Sequence, residues 1–273
     1  MRAKFVPLLA AGLAAVFGLA ACGSGSGNAA AGMLPSLAPS QSAPSPTIDP
    51  AVTPSPSASP SATELPKPAP TPSPTHVGLQ SGDNGSQVVS LQKRLSSLGF
   101  WISVADGSYG QTTEQAVMAF QKAAGLERDG VAGPLTMKAI TAGVSVTPRS
   151  TAGHVLEIDK AKQLLLIVNN GKVAEIINTS TGSNQPYTSG GVTSIATTPS
   201  GTYSIFREVN ADDPGPLGDL WRPKYFNGGI AIHGSPSIPG YPASHGCARM
   251  SNPAIDWIWS SGQAPMGTQV VVY

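Results

Sequence analysis

The segment Ser244-His245-Gly246-Cys247, with Ile232-His233-Gly234-Ser235 shortly upstream, brings one thiol and two imidazoles into a short stretch of chain. A thiol with an ordinary pKa of about 8.5 is mostly protonated at neutral pH, and a neighbouring imidazole can take its proton to leave a nucleophilic thiolate. Those residue types suit acyl transfer through a covalent thioester. The surrounding elements then have to hold the sulfur, its base and a set of oxyanion donors around one carbonyl.

The chain holds only two cysteines, Cys22 and Cys247, in very different settings. Arg2 and Lys4 precede an apolar stretch too short to span a bilayer comfortably, and Leu19-Ala20-Ala21-Cys22 closes it with small residues, so residues 1–21 read as an export signal. This ending resembles a bacterial lipobox, which implies cleavage before Cys22 and acylation of its sulfur and new amino terminus. The alternative is a plain secretory signal with a chance cysteine. A lipidated Cys22 is unable to pair with Cys247, leaving a free thiol in an exported protein, which favours a reactive role.

Only 11% of the 273 residues are charged and the net charge is +1, so nothing points to nucleic acid. From residue 22 to 76, Pro, Ser, Ala and Thr dominate and large apolar residues are scarce. Such a stretch is unable to bury a core and is expected to stay extended and disordered, as a tether or as a glycosylated stalk. From Val77 to about residue 143 the pattern becomes that of a small helical module. Val88, Leu91, Leu95 and Leu98 recur at helical spacing before Gly99. A second helix is expected to open at Thr112 with Gln115 as a capping box, burying Val117, Phe120 and Ala124; a third starts after Gly133, with Pro134 in its first turn and Leu135, Ala139 and Ile140 facing inward. Asp106-Gly107 and Asp129-Gly130 form a weak internal repeat read as turn chemistry.

Leu91-Gln92, Leu98-Gly99-Phe100, Asp106-Gly107, Tyr109-Gly110, Phe120-Gln121, Gly125-Leu126 and Asp129-Gly130 together resemble a peptidoglycan-binding domain of the three-helix type. The resemblance implies a cell-wall glycan or stem-peptide ligand. Trp101 and Tyr109, taken as exposed, are the candidate rings for stacking on sugar.

Beyond residue 151 the chain is strand-like at 154–158, 163–168 and 172–178, and Asn170-Gly171 favours a tight hairpin between the last two. Further strands are expected at 202–206, 229–233 and 268–272, with one helix capped by Asn252, carrying Pro253 in its first turn, burying Ile255, Ile258 and Trp259, and ending at Gly262. The expected fold is therefore multidomain: a three-helix module at 77–143, then a mostly β domain at 152–273.

Gln163-Leu164, Ser180-Thr181-Gly182, Thr198-Pro199-Ser200-Gly201, Ile232-His233-Gly234 and Ser244-His245-Gly246-Cys247-Ala248-Arg249 make this second region similar to the L,D-transpeptidase (YkuD) family. What the resemblance implies is a β sandwich and an enzyme that crosslinks peptidoglycan: the tetrapeptide stem acylates the cysteine, D-alanine leaves, and an amine of another stem takes the acyl group. By that resemblance Cys247 is the nucleophile, His233 its base oriented by the Gly234 carbonyl, His245 a supporting histidine, and the Gly246 and Cys247 amides the oxyanion donors. Arg249 either contacts substrate or braces the loop through a carboxylate such as Asp256. Ser244 belongs to the same binding loop, where it shapes the backbone by hydrogen bonding. Trp221, Tyr225 and Phe226, in a segment read as a loop, either line the stem-peptide cleft or pack beneath it. A zinc site of Cys247, His233 and His245 can be drawn, but the specificity of the motif favours the nucleophile, and neither metal nor cofactor is implied. The partners implied are peptidoglycan stems and glycan, and the membrane through the lipid anchor. Three functional classes follow: a crosslinking transferase, a cysteine hydrolase of stem peptides, and a non-catalytic link between membrane and wall.

Overall fold

The computed structural model describes residues 77–273; the expected export signal at 1–21, Cys22 and the expected tether lie outside the described residues. Three helices come first: α1 (Ser86–Ser97), α2 (Gln111–Ala124) and α3 (Pro134–Ala142). Val88, Leu91 and Leu95 form the buried stripe of α1, and Val117 and Phe120 lie at the centre of α2. The internal repeat has a physical basis. Gln92 Nε2 donates to Asp106 Oδ1 and Thr113 Oγ1 while its Oε1 accepts the Gly107 amide; Gln121 does the same with Asp129, Thr136 and Gly130. Each buried glutamine thus satisfies one Asp-Gly turn.

Three expectations for this module need correction. The N-cap of α2 is Gly110 and no side chain caps it, so Thr112 lies inside the helix and Gln115 is free to bond elsewhere. Leu135 is 75% exposed, and Thr136 takes the inward position beside Ile140. Trp101 and Tyr109 are 5% and 1% exposed and are unavailable for stacking on sugar. Tyr109 donates its hydroxyl to Gly130 O at 2.7 Å, and Trp101 packs against Trp257.

Beyond the helices run β1 (His154–Asp159), β2 (Leu164–Asn169), β3 (Lys172–Asn178), β4 (Pro186–Ser189), β5 (Val192–Ile195), β6 (Gly201–Ser204), β7 (Arg207–Glu208), β8 (Asp212–Asp213), β9 (Leu220–Asn227), β10 (Ile230–Ser235), β11 (Ala248–Ser251), α4 (Asn252–Ser260) and β12 (Gln269–Val272). One sheet has the order β3-β2-β1-β12-β6 and a second β11-β10-β9-β7, with β8 also on β9 and β4-β5 a separate hairpin. Asn170 and Gly171 take φ of 48° and 77°, the positive pair that the β2–β3 turn requires. The segment read as a loop around Trp221 is the eight-residue strand β9. Ser251, not Asn252, is the N-cap of α4, and Asn252 Oδ1 is buried without a hydrogen-bond partner.

The two sheets and α4 enclose a core of Leu156, Ile158, Leu165, Ile167, Ile232, Met250 and Ile255, among others. The other face of the first sheet is covered as well. Leu164, Leu166, Val168 and Ile176 share a second core with Val88, Leu91, Leu95, Val117 and Phe120 of the helices. Backbone bonds reinforce this junction: Ile176 N donates to Gly99 O at 2.8 Å and Trp101 N to Ile176 O at 3.0 Å. Burying four aliphatic side chains contributes roughly 1.5–3 kcal/mol each, which together approaches a typical domain stability of about 5–15 kcal/mol. Residues 152–273 expressed alone are accordingly expected to aggregate or to lose cooperative unfolding, checked by size-exclusion chromatography and circular dichroism; a monodisperse, cooperatively melting fragment would contradict the shared core.

Candidate active site

Strands β10 and β11 run parallel, with Ile232 opposite Ala248 and His233 opposite Arg249. Alternation sends Ile232 and Ala248 into the core and places His233 and Arg249 together on the other face. Cys247 stands at the entry to β11, half-buried, and is the one free cysteine among the described residues. Cys247, His233, Arg249, His245 and Tyr225 line one cavity of about 800 Å³.

His233 is 4% exposed, and its Nδ1 lies 2.8 Å from Gly234 O. With Nδ1–H donated to that carbonyl, Nε2 is the basic nitrogen. Burial pushes the His233 pKa down to about 4, with the Arg249 charge acting in the same direction. Burial pushes the Cys247 thiol up, against the opposing influence of the Ala231 amide and the Arg249 charge. Sγ accepts the Ala231 N–H at 3.5 Å and lies 3.8 Å from Gly229 O, and no hydrogen bond joins it to His233. At neutral pH the resting site therefore holds an uncharged thiol and an uncharged imidazole.

The loop before Cys247 is held from within and from outside. Ser244 Oγ donates to Cys247 O at 2.6 Å and accepts the Gly246 N–H at 3.0 Å, and Thr198 Oγ1 donates to Gly246 O at 2.6 Å. Gly246 takes a φ of 145°, and a Cβ there would lie 3.0 Å from Thr197 O, so only glycine lets the loop pass this close.

A family model for a peptidoglycan binding domain matches residues 84–140, and one for an L,D-transpeptidase catalytic domain matches residues 153–272. The crystal structure of the L,D-transpeptidase (residues 123-326) from Xylanimonas cellulosilytica DSM 15894 is 52% identical and aligns over 74% of this chain and 100% of that one, with a TM-score of 0.70. This chain belongs to the L,D-transpeptidase family. Shorter likenesses reach several N-acetylmuramoyl-L-alanine amidases. CwlL of Bacillus licheniformis is 53% identical over 66 residues, 23% of this chain and 18% of that protein. CwlM of Mycobacterium tuberculosis (strain ATCC 25618 / H37Rv) is 41% identical over 56 residues, 20% of this chain and 14% of that protein. The chain thus spans less than a fifth of the length of these curated relatives.

In this family member the residues singled out from sequence fall into two groups. Cys247, His233, Arg249, His245 and Tyr225 share the cavity. His245 is exposed, its ring 4.8 Å from that of Tyr187. Phe226 is 3% exposed and packs in the core against Tyr203, and Trp221 donates Nε1 to Asp256 at 2.8 Å beneath α4, so neither lines the cleft. Phe226 faces the core from β9, and an irregularity of β9 between Trp221 and Lys224, where Arg222 takes a φ of 50°, turns Trp221 to the same side. Ser244 is 1% exposed and its hydroxyl is spent on the loop, which makes it a brace in place of a substrate contact. The Gly246 amide, expected as an oxyanion donor, is likewise taken by Ser244 Oγ. Asp256 is bonded by Arg222 at 2.7 Å and not by Arg249, leaving Arg249 to the cavity.

Sequence reasoning missed the far end of the cavity. There Asp213 Oδ2 accepts from Tyr225 OH at 2.7 Å and Arg207 Nη2 at 2.8 Å. Thr198 was visible in the Thr198-Pro199-Ser200-Gly201 motif but had no evident partner; Tyr187 sits in a polar hairpin that offers no chemical signal.

Arg249 acts on both titrating groups with one sign each. Its charge favours thiolate and disfavours imidazolium. Arg249→Gln is expected to raise both pKa values, slowing iodoacetamide alkylation of Cys247 several-fold at pH 7 and moving the His233 midpoint, followed by NMR, upward from about 4. Unchanged midpoints would remove Arg249 from the electrostatics of the site.

Proposed function

We propose that this protein is a peptidoglycan L,D-transpeptidase in which Cys247 forms the acyl-enzyme and His233 moves the protons. The observation that carries the reading is one cavity lined both by a half-buried free thiol at the entry to β11 and by a carbonyl-oriented imidazole on the adjacent parallel strand β10. Cys247 Sγ attacks the carbonyl of the donor stem's third residue as its proton passes to His233 Nε2. The Cys247 amide receives the developing oxyanion, and Arg249 adds positive charge on the same side. Collapse expels D-alanine, which takes the proton from His233. An amine of a second stem then attacks the thioester and gives its proton to His233, and the thiol is restored as the crosslink forms.

The helical module, residues 77–143, is assigned to the wall. With Trp101 and Tyr109 buried, its open groove of about 870 Å³, lined by Leu79, Leu91, Arg94, Met137 and Ile140, is the place for a glycan or stem ligand. The protein is exported, its signal removed before Cys22, and held at the membrane by acyl chains on that residue, with residues 22–76 as tether. No described helix is long and apolar enough to cross a membrane.

Incubation with disaccharide-tetrapeptide, with products resolved by mass, tests the reading. Crosslinked dimers and free D-alanine are expected; trimmed monomers alone would make the protein a hydrolase, and unchanged substrate would leave only the wall link.

A further inference from the structure

Lys122, on α2, is 2% exposed, and its ammonium donates to Gln163 O at 3.1 Å, to Thr179 O at 2.9 Å and to Asn178 Oδ1. All three N–H bonds are used, and none goes to a carboxylate. Burying a cation without a counter-ion is costly, and an apolar side chain would fill the same space more cheaply. What the ammonium does, and an apolar wedge does not, is gather three oxygens from the second domain at one point. Burial pushes its pKa down to about 7, with Arg128 acting in the same direction, while the three acceptors favour the charged form.

The residues so gathered begin the segment on which the nucleophile loop lies. Thr179 Oγ1 donates to Arg249 O at 2.7 Å, and Ser180 and Arg249 exchange backbone bonds of 3.1 and 3.0 Å. Thr181 O accepts the amides of Ala243 and Ser244, both at 3.0 Å. A second line of contact meets the loop from its other end. After β10, the segment 236–240 meets α2 and the segment that follows it: Pro236 O accepts from Gln111 Nε2 of α2 at 3.3 Å, and Gly240 O from Arg128 Nη1, beyond the end of that helix, at 3.0 Å. A Cβ on Gly240 would lie 2.7 Å from Arg128 Cβ, so the backbone is pressed directly onto this face.

We propose that Lys122 and Arg128 are positioning residues for Cys247, so that the helical module, besides any ligand it carries, sets both segments that frame the nucleophile loop. Its readout rests on the transpeptidase reading; the claim of placement does not. The test uses Lys122→Met and Arg128→Ala in the otherwise intact protein, with thermal unfolding as the check on folding. Carbapenem acylation of Cys247, which the family resemblance implies and intact mass follows, needs the Cys247 amide in place for the oxyanion, whereas iodoacetamide alkylation needs only an ionisable, accessible thiol. The expected result is a maximal carbapenem acylation rate at least about tenfold lower in Lys122→Met and about threefold lower in Arg128→Ala, with apparent carbapenem affinity and iodoacetamide rate within twofold. Amide hydrogen exchange over residues 241–249 should speed up in both variants, a readout that stands even if the unsubstituted protein proves unreactive towards carbapenem and the enzymatic reading fails. If Lys122→Met does not fold, Arg128→Ala carries the test. Acylation within twofold and unchanged exchange in every variant that folds would overturn the proposal.

Discussion

Cys247→Ala is expected to abolish acyl-enzyme formation and to lower donor turnover by about 10⁴-fold or more, the scale seen when an enzyme loses its covalent nucleophile. The size of the effect follows from the site: the neighbouring Ser244 hydroxyl is buried and committed to Cys247 O, so it does not stand in for the thiol. Stability should change little. The sulfur is half-buried and its contacts are weak, an amide at 3.5 Å and a carbonyl at 3.8 Å, so the melting temperature should stay within a few degrees. Intact-mass analysis after carbapenem exposure and a thermal melt check both parts. An adduct that persists in Cys247→Ala would place the chemistry elsewhere.

His233→Gln is expected to cost about 10² to 10⁴-fold at pH 7, the range of general base catalysis, and to change the shape of the pH profile. In the unsubstituted protein the base works while His233 is neutral. Its folded pKa of about 4 is below the ordinary 6.5, so carbapenem acylation should hold level from about pH 6 downward and fall only as the pH approaches 4. Folding stability is linked with the same sign: below 6.5 the unfolded chain binds a proton at this residue that the folded chain refuses until about 4, so stability declines through that window. Without the base, attack depends on the thiolate alone, and burial keeps the thiol pKa high. The His233→Gln rate should therefore climb about tenfold per pH unit through neutrality, with no plateau. A level profile in that variant would mean that His233 does not carry the proton.

The chemistry was the most legible part of the sequence because it is concentrated in two tetrads, and parallel pairing of β10 with β11 is what turns their spacing into proximity. Turn residues were equally readable, as Asn170-Gly171 and Gly99 show, since each meets a local backbone demand. The packing between modules was not read, although its signal was present. Leu164 to Val168 is an unbroken apolar run, and such a strand is buried on both faces, which requires a cover beyond the sandwich. The same omission misplaced Trp101, whose partner Trp257 is distant in sequence. Segment 221–226 was misread because Arg222, Pro223 and Lys224 suggest a loop, while Lys224 in fact reaches Glu208 at 2.6 Å and lies over the Trp259 ring. That charge is satisfied by tertiary neighbours, which local sequence does not display.

The central claim is a thioester on Cys247 made from the donor stem. Rapid quenching of the protein with disaccharide-tetrapeptide, followed by proteolysis and mass spectrometry of the peptide carrying Cys247, tests it most directly. The expected adduct on that sulfur is the donor less its terminal D-alanine, rising before crosslinked product and decaying when acceptor amine is added. Product appearing without that adduct, or with the donor carried on a different residue, would contradict it.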